Sequence, residues 1–139
     1  MVALVTLALS GCLPFSGGPI KASVVDGQLA LAFCTDLTLD SIEVLQSADG
    51  QVNGYTILWK ATGAKDIRSG DIIIIGQDTD DLTTTEVGSF DSAEGNRYSV
   101  TANYGSGEAL QPTFHVPDNG FLPGEWVAGT GLKYDEPCS

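Results

Sequence analysis

Residues 97–104, R-Y-S-V-T-A-N-Y, alternate apolar and polar side chains without interruption. Successive side chains of a β-strand point to opposite faces. The pattern therefore predicts a strand that turns its two tyrosines, Val100 and Ala102 inward and its polar residues outward. The sequence G-S-G-E at 105–108 follows and predicts a turn, because glycine tolerates positive φ. Together they indicate an antiparallel sheet with one buried face.

Short strand-like segments continue on both sides of this stretch, and turn signals separate them. They are residues 20–26, 28–34, 41–46, 54–61, 71–75, 86–90, 109–116 and 125–134. No long segment has helical periodicity, so the fold class predicted for residues 20–139 is all-β, an antiparallel two-sheet sandwich. The β-branched run at 71–75, D-I-I-I-I, predicts a strand buried on both faces. The polar residues 77–86 predict a loop.

The stretch from Gly95 to Gly105 resembles the penultimate-strand region of fibronectin type III and related immunoglobulin-like domains. In those domains a tyrosine opens the strand and a glycine-containing hairpin closes it, as Tyr98 and Gly105 do here. The resemblance covers roughly a dozen residues. It implies an immunoglobulin-like sandwich and says nothing about a partner.

The charge balance is strongly acidic. The 139 residues fit one domain, and eighteen Asp and Glu against six Lys and Arg give a formal charge of −12. Such a chain repels nucleic acid phosphates and has no counterion release to drive binding, so we predict no nucleic acid partner. The same charge disfavours docking onto anionic headgroups. Any membrane association must therefore be covalent or apolar.

The N-terminal residues combine an uncharged apolar run, 2–9, with the sequence Leu9-Ser10-Gly11-Cys12. This arrangement resembles the signal peptide and lipobox of bacterial lipoproteins, and the run is too short for a transmembrane helix. The resemblance implies that residues 1–11 are removed, that Cys12 is lipidated, and that the Gly- and Pro-rich residues 12–19 form a tether. The alternative is a first strand over 2–9 with a free thiol at Cys12.

The cysteine count fits this interpretation. An odd number of cysteines in an exported protein needs an explanation, and lipidation of Cys12 leaves Cys34 and Cys138 as a pair. An extracytoplasmic compartment is oxidising enough to join them, so a Cys34–Cys138 disulfide is predicted if the chain is exported. The alternative is two unrelated buried thiols.

Few residues in the sequence suggest chemistry. His115 is the single histidine, so a Cys/His zinc cluster is impossible. Asp78, Asp80 and Asp81 could offer oxygen ligands to a cation, but the EF-hand pattern fails and a solvated acidic loop is preferred. No nucleophile-elbow pattern, Gly-x-Ser-x-Gly, occurs. We predict no catalytic site, no metal site, no cofactor and no enzymatic activity.

Trp126 is the remaining candidate for a ligand platform, because planar aromatic rings stack on sugars. The alternative is that it anchors the core. The function predicted is a lipid-anchored, extracytoplasmic, non-catalytic domain that binds a protein or a cell-envelope component. A carbohydrate-binding module with Trp126 exposed, and an enzyme or accessory subunit with two carboxylates about 5–9 Å apart, are the alternatives. The predicted location is the outer face of the cell membrane, or the outer membrane in a Gram-negative organism.

Overall fold

The computed structural model describes residues 18–47, 54–90, 95–105 and 107–138. The predicted signal peptide and Cys12 lie outside this part of the chain. Eleven strands occur within it: β1 Ile20–Val25, β2 Gln28–Phe33, β3 Leu37–Ser47, β4 Thr56–Ile67, β5 Asp71–Ile74, β6 Leu82–Val87, β7 Arg97–Tyr104, β8 Glu108–Leu110, β9 Thr113–His115, β10 Trp126–Ala128 and β11 Lys133–Tyr134. None of the described residues belongs to a helix that is long and apolar enough to span a bilayer.

The strands form two antiparallel sheets packed face to face, so the predicted sandwich is confirmed. Sheet A has the order β11-β10-β1-β2-β5. Sheet B has the order β6-β4-β3-β7-β8, and β9 also pairs with β7. In the described part of the chain, β5 and β6 are therefore edge strands on the same side of the sandwich. The likeness to immunoglobulin-related domains stays a prediction.

The main core lies between the sheets and is built by the alternation that the sequence displays. In β7, Tyr98, Val100 and Ala102 are buried as predicted, and Tyr104 is half-buried. The strands of both sheets contribute apolar side chains to one cluster, among them Ile20, Leu29, Leu31, Phe33, Leu39, Ile42, Val44, Leu58, Trp59, Ile73 and Phe114. Burial of this apolar surface is the main favourable term that holds the two sheets together.

A second, smaller apolar cluster lies on the outer face of sheet A. Trp126 packs there on Ala30 and Ala32, with Val25 and Ile74 at its margin. The residues opposite one another in this antiparallel sheet share a face, which is why a tryptophan of β10 reaches the alanines of β2. The Trp126 side chain therefore covers part of a sheet face that would otherwise meet solvent.

Several strand predictions need correction. Residues 82–87 form β6, although the sequence predicted a loop over 77–86 and a short strand over 86–90. The predicted strand at 109–116 is split into β8 and β9 near Pro112, whose missing N–H cannot join a ladder. The predicted strand at 125–134 is a hairpin of β10 and β11. For β6 and for the β10–β11 hairpin, pairing with neighbouring strands rather than local composition decides the outcome.

The prediction that residues 71–75 are buried on both faces is wrong. This isoleucine run forms an edge strand, β5, which pairs with β2 along one side. Ile73 and Ile75 point into the core, whereas Ile72 is 45% exposed on the outer face of sheet A. Neither the edge position nor the exposed isoleucine is encoded in the local sequence.

The two ends of the sandwich differ. At one end, the N–H of Cys34 donates to the carbonyl of Pro19 at 2.7 Å, so the chain enters β1 beside the Cys34–Cys138 disulfide. We call this the crosslinked end. At the other end, β1 turns into β2 through Asp26 and Gly27, which both have positive φ, as a two-residue hairpin requires. We call this the hairpin end.

Candidate functional site

A groove opens at the hairpin end, between the edges of the two sheets. Its volume is 510 Å³. Four separate segments contribute its lining, which comprises Gly27, Gln28, Leu58, Ile75, Gly76, Gln77, Val87, Gly88, Ser89 and Phe90. None of these ten side chains carries a charge, although the whole chain is strongly acidic.

The groove borders the main core, to which Leu58 and Ile75 belong. Both side chains are buried, and Phe90 is half-buried with its ring centroid 5.5 Å from that of Tyr98. Val87 stands on the wall and is 64% exposed. Val87 therefore offers an apolar contact to a ligand in the groove.

Two glycines shape the rim of the groove. Gly88 donates its N–H to the carbonyl of Leu58 at 2.8 Å, and a Cβ at this position would collide with the carbonyl oxygen of Ile57. Gly76, two residues after the end of β5, has a φ of 89°, which favours glycine. At these two positions the rim therefore presents backbone rather than a side chain.

The polar groups of the rim are amides and hydroxyls. Gln28 and Gln77 are exposed there, and Ser89 accepts a hydrogen bond at its carbonyl from Nε2 of Gln46 at 2.6 Å. The last contact ties the rim to β3. The exposed lining of the groove is mainly polar and uncharged, which suits peptide or amide groups that form hydrogen bonds with it.

The acidic loop that could have offered cation ligands has a structural role at Asp78. Its Oδ1 accepts the N–H of Thr84 at 2.9 Å, and the Thr84 hydroxyl accepts the indole N–H of buried Trp59 at 2.8 Å. The hydrogen bonds from Thr84 lower the pKa of the Asp78 carboxyl. The carboxylate therefore fixes the start of β6. Asp80 and Asp81 are exposed.

No metal centre emerges from the acidic residues that the structure describes. Across 18–47, 54–90, 95–105 and 107–138, no group of three or more His, Cys, Asp and Glu side chains is placed to hold an ion. His115 is exposed at the end of β9, opposite Arg97 of β7, and does not line the groove.

Trp126 does not present an open ring. It is 7% exposed, because its side chain lies on Ala30 and Ala32 of sheet A. Exposure of this ring is the feature that would have favoured a carbohydrate-binding module, and the structure does not supply it. The position fits the alternative in which Trp126 anchors a core.

The predicted cysteine pair is confirmed. Cys34 and Cys138 are joined, with an S–S distance of 2.11 Å and a Cα–Cα distance of 5.2 Å. The bridge ties the end of β2 to a residue 104 positions later. Lipidation of Cys12 stays a prediction.

The groove could not be predicted from the sequence, because its lining residues come from four distant segments. Gly76 directly after the isoleucine run, and Gly88 between Val87 and Ser89, were the available signals. Neither has a spacing that distinguishes a groove from an ordinary turn.

Comparison of the chain with protein-family models, with curated proteins and with solved structures finds no match.

Proposed function

We propose that this chain is a lipid-anchored, extracytoplasmic, non-catalytic binding domain that presents its groove, directed away from the bilayer, to a protein or cell-envelope partner. The observation that carries the proposal is the separation of the two ends. The chain enters β1 at the crosslinked end, whereas the groove is lined by Gly27 and Gln28 at the hairpin end. A six-residue strand spans about 20 Å, and this is the distance between the two ends along β1.

The lead-in to the domain is compatible with an anchor. Residues 13–19 separate Cys12 from β1 and contain glycines and prolines. Seven extended residues reach about 25 Å at most. A lipid on Cys12 would therefore hold the crosslinked end close to the headgroups and leave the hairpin end free. Diacyl attachment gives stable membrane residence without help from the protein surface.

The acidic surface of the crosslinked end supports the same orientation. Asp36, Asp66 and Asp71 are exposed there. Their carboxylates accept hydrogen bonds from the Ser69 N–H, the Thr38 hydroxyl and the Arg68 N–H, which fixes them in place. Anionic headgroups repel such a surface, so the domain would stand off the bilayer rather than lie on it. The groove would then meet partners from the aqueous side.

Intact-mass spectrometry tests the anchor. The full chain is expressed in a bacterium with lipoprotein-processing enzymes, extracted from membranes with detergent, and weighed beside its C12S variant. We expect the wild-type mass to lack residues 1–11 and to include a diacylglyceryl group, and the variant to lack any lipid mass. Fractionation should place the wild type in membranes. The mass of C12S should show that it is not acylated. An unmodified Cys12 with Met1 retained would refute the anchor.

A further inference from the structure

The outward edge of β5 combines exposed apolar side chains with unused backbone groups. Ile72 is 45% exposed, and Ile74 is half-buried on the same face. Natural proteins usually block a sheet edge with lysine, proline or a covering segment. β5 carries no lysine or proline, and its four-residue length and the charge of Asp71 are the features that restrain pairing. An edge of this kind is the template for an added strand.

The register identifies which backbone groups are available. The N–H of Ile75 donates to the carbonyl of Leu29 at 2.9 Å, and Ile73 is opposite Leu31. Because hydrogen-bonded pairs alternate along an antiparallel ladder, the N–H and C=O of Ile72 and the N–H of Ile74 point away from β2. The carbonyl of Ile74 accepts the N–H of Gln77 at 3.3 Å. Three groups are thus left to receive a further strand.

The other edges are less suitable. β6 presents mainly threonine and glutamate, and the hydroxyl of Thr85 donates to the carbonyl of Lys60 at 3.2 Å. β8 and β11 have three and two residues. β5 also leads directly into the groove through Ile75 and Gly76, which are both lining residues. A strand laid along β5 can therefore reach the groove.

The charges around β5 select the chemistry of the partner. Asp71 starts the strand, and Asp78, Asp80 and Asp81 follow its end, whereas Arg68 is the nearby cation. A second copy of this chain fits poorly. Pairing of two β5 strands would bring together two chains that each carry a formal charge of −12, and like charges oppose such an association. A segment with lysine or arginine at its ends fits well.

We propose that β5 receives an extended segment of the partner, apolar in its centre and basic at its ends, as an additional strand of sheet A that leads into the groove. The inference rests on the proposed function, since it names the partner chemistry of the same binding domain. It predicts backbone hydrogen bonding at Ile72 and Ile74, contact with the exposed Ile72 side chain, and a salt-sensitive affinity.

The test uses the full-length C12S chain, so that binding is measured without a lipid and does not depend on the anchor. The probe is a fluorescent peptide of sequence K-R-V-T-V-T-V-K-R, and polarisation reports its binding. We expect saturable binding that weakens as salt is added. Amide hydrogen exchange should slow at Ile72 and Ile74 when the peptide is present. A peptide with the basic ends replaced by glutamate should not bind.

Two kinds of control isolate the edge. Ile72→Pro removes an N–H that points away from β2, so it should weaken binding by at least about tenfold. Ile72→Val keeps that donor and should bind as the parent does. Should I72P fail to fold, judged by circular dichroism, the parent is tested instead with a peptide N-methylated at alternate residues, which should not bind.

Three results would overturn the inference. The first is binding that is not weakened by I72P, or by N-methylation of the peptide. The second is binding of the glutamate-flanked peptide as tight as that of the basic peptide. The third is slowed hydrogen exchange confined to residues outside β5. A C12S dimer in sedimentation analysis that I72P dissociates would also overturn it, because the occupant would then be a second copy. None of these results bears on the mass of Cys12, so failure of this inference is distinguishable from failure of the anchor.

Discussion

Lys21 is a basic side chain in a buried position. It is 2% exposed on the outer face of sheet A, and its Nζ lies 3.9 Å from the ring centroid of Tyr134. The ring offers the ammonium group a cation–π contact, while the aliphatic stem packs against the sheet. Burial lowers the pKa of the Lys21 side chain below its ordinary value of 10.5, because it disfavours the charged form.

This shift predicts a pH dependence of stability. Between the lowered pKa and 10.5 the unfolded chain binds more protons than the folded chain, so the free energy of unfolding rises with pH in that window. Lys21→Met should remove the contribution of Lys21 to this rise in the free energy of unfolding. Urea unfolding of C12S and C12S/K21M across neutral to alkaline pH measures the difference. Lys60→Met, which removes an exposed ammonium 3.7 Å from Glu43, should leave the rise in place. Parallel curves for C12S and C12S/K21M would contradict the prediction.

At the level of elements, alternation along the chain predicts a strand well but not its neighbours. β1, β2 and β7 fall where the pattern placed them, because each has one face on the main core. β6 was missed because its threonines are exposed at an edge, where polar and apolar residues need not alternate. The burial of β5 was misjudged because edge position depends on strands distant in sequence.

The candidate site was less predictable than the fold. The disulfide was predictable once the lipobox resemblance set Cys12 aside, because an exported chain with two remaining cysteines offers a single pair. The groove depends on four segments that meet only when both sheets have packed, and no local pattern records that meeting. The isoleucine run was noticed in the sequence, but its exposed edge depends on sheet order.

Trp126 provides the test at this scale. Its ring joins the β10–β11 hairpin to Ala30 and Ala32, so Trp126→Ala should lower the free energy of unfolding by about 3–5 kcal/mol. Leu132→Ala, in the same hairpin, should change it by less than about 0.5 kcal/mol, since Leu132 is 59% exposed. Urea unfolding followed by circular dichroism gives both values. Equal stabilities for the two variants would show that the ring is not a core anchor.

For the whole molecule, the disulfide is a long-range covalent constraint. It closes a loop of 104 residues, which restricts the unfolded chain across nearly the whole described domain. In the chain-entropy account, its removal should lower the free energy of unfolding by about 4–5 kcal/mol.

The C34A/C138A double variant, in the C12S background, measures this contribution by urea unfolding. Reduction of the parent with dithiothreitol should give a similar loss, because both treatments release the same loop. A change below about 1 kcal/mol would contradict the expected size. The double variant avoids the single free thiol that either substitution alone would leave.

The crosslink also decides where a label can be attached. Cys138 is bonded to Cys34, and Cys34 lies beside Pro19, so a fusion partner following Cys138 emerges on the same side as the lead-in from residue 12. If the chain is anchored as proposed, the membrane would hinder binding of an antibody to such a tag on intact cells. A short epitope inserted between Asp26 and Gly27 would lie at the hairpin end, where the antibody could bind it.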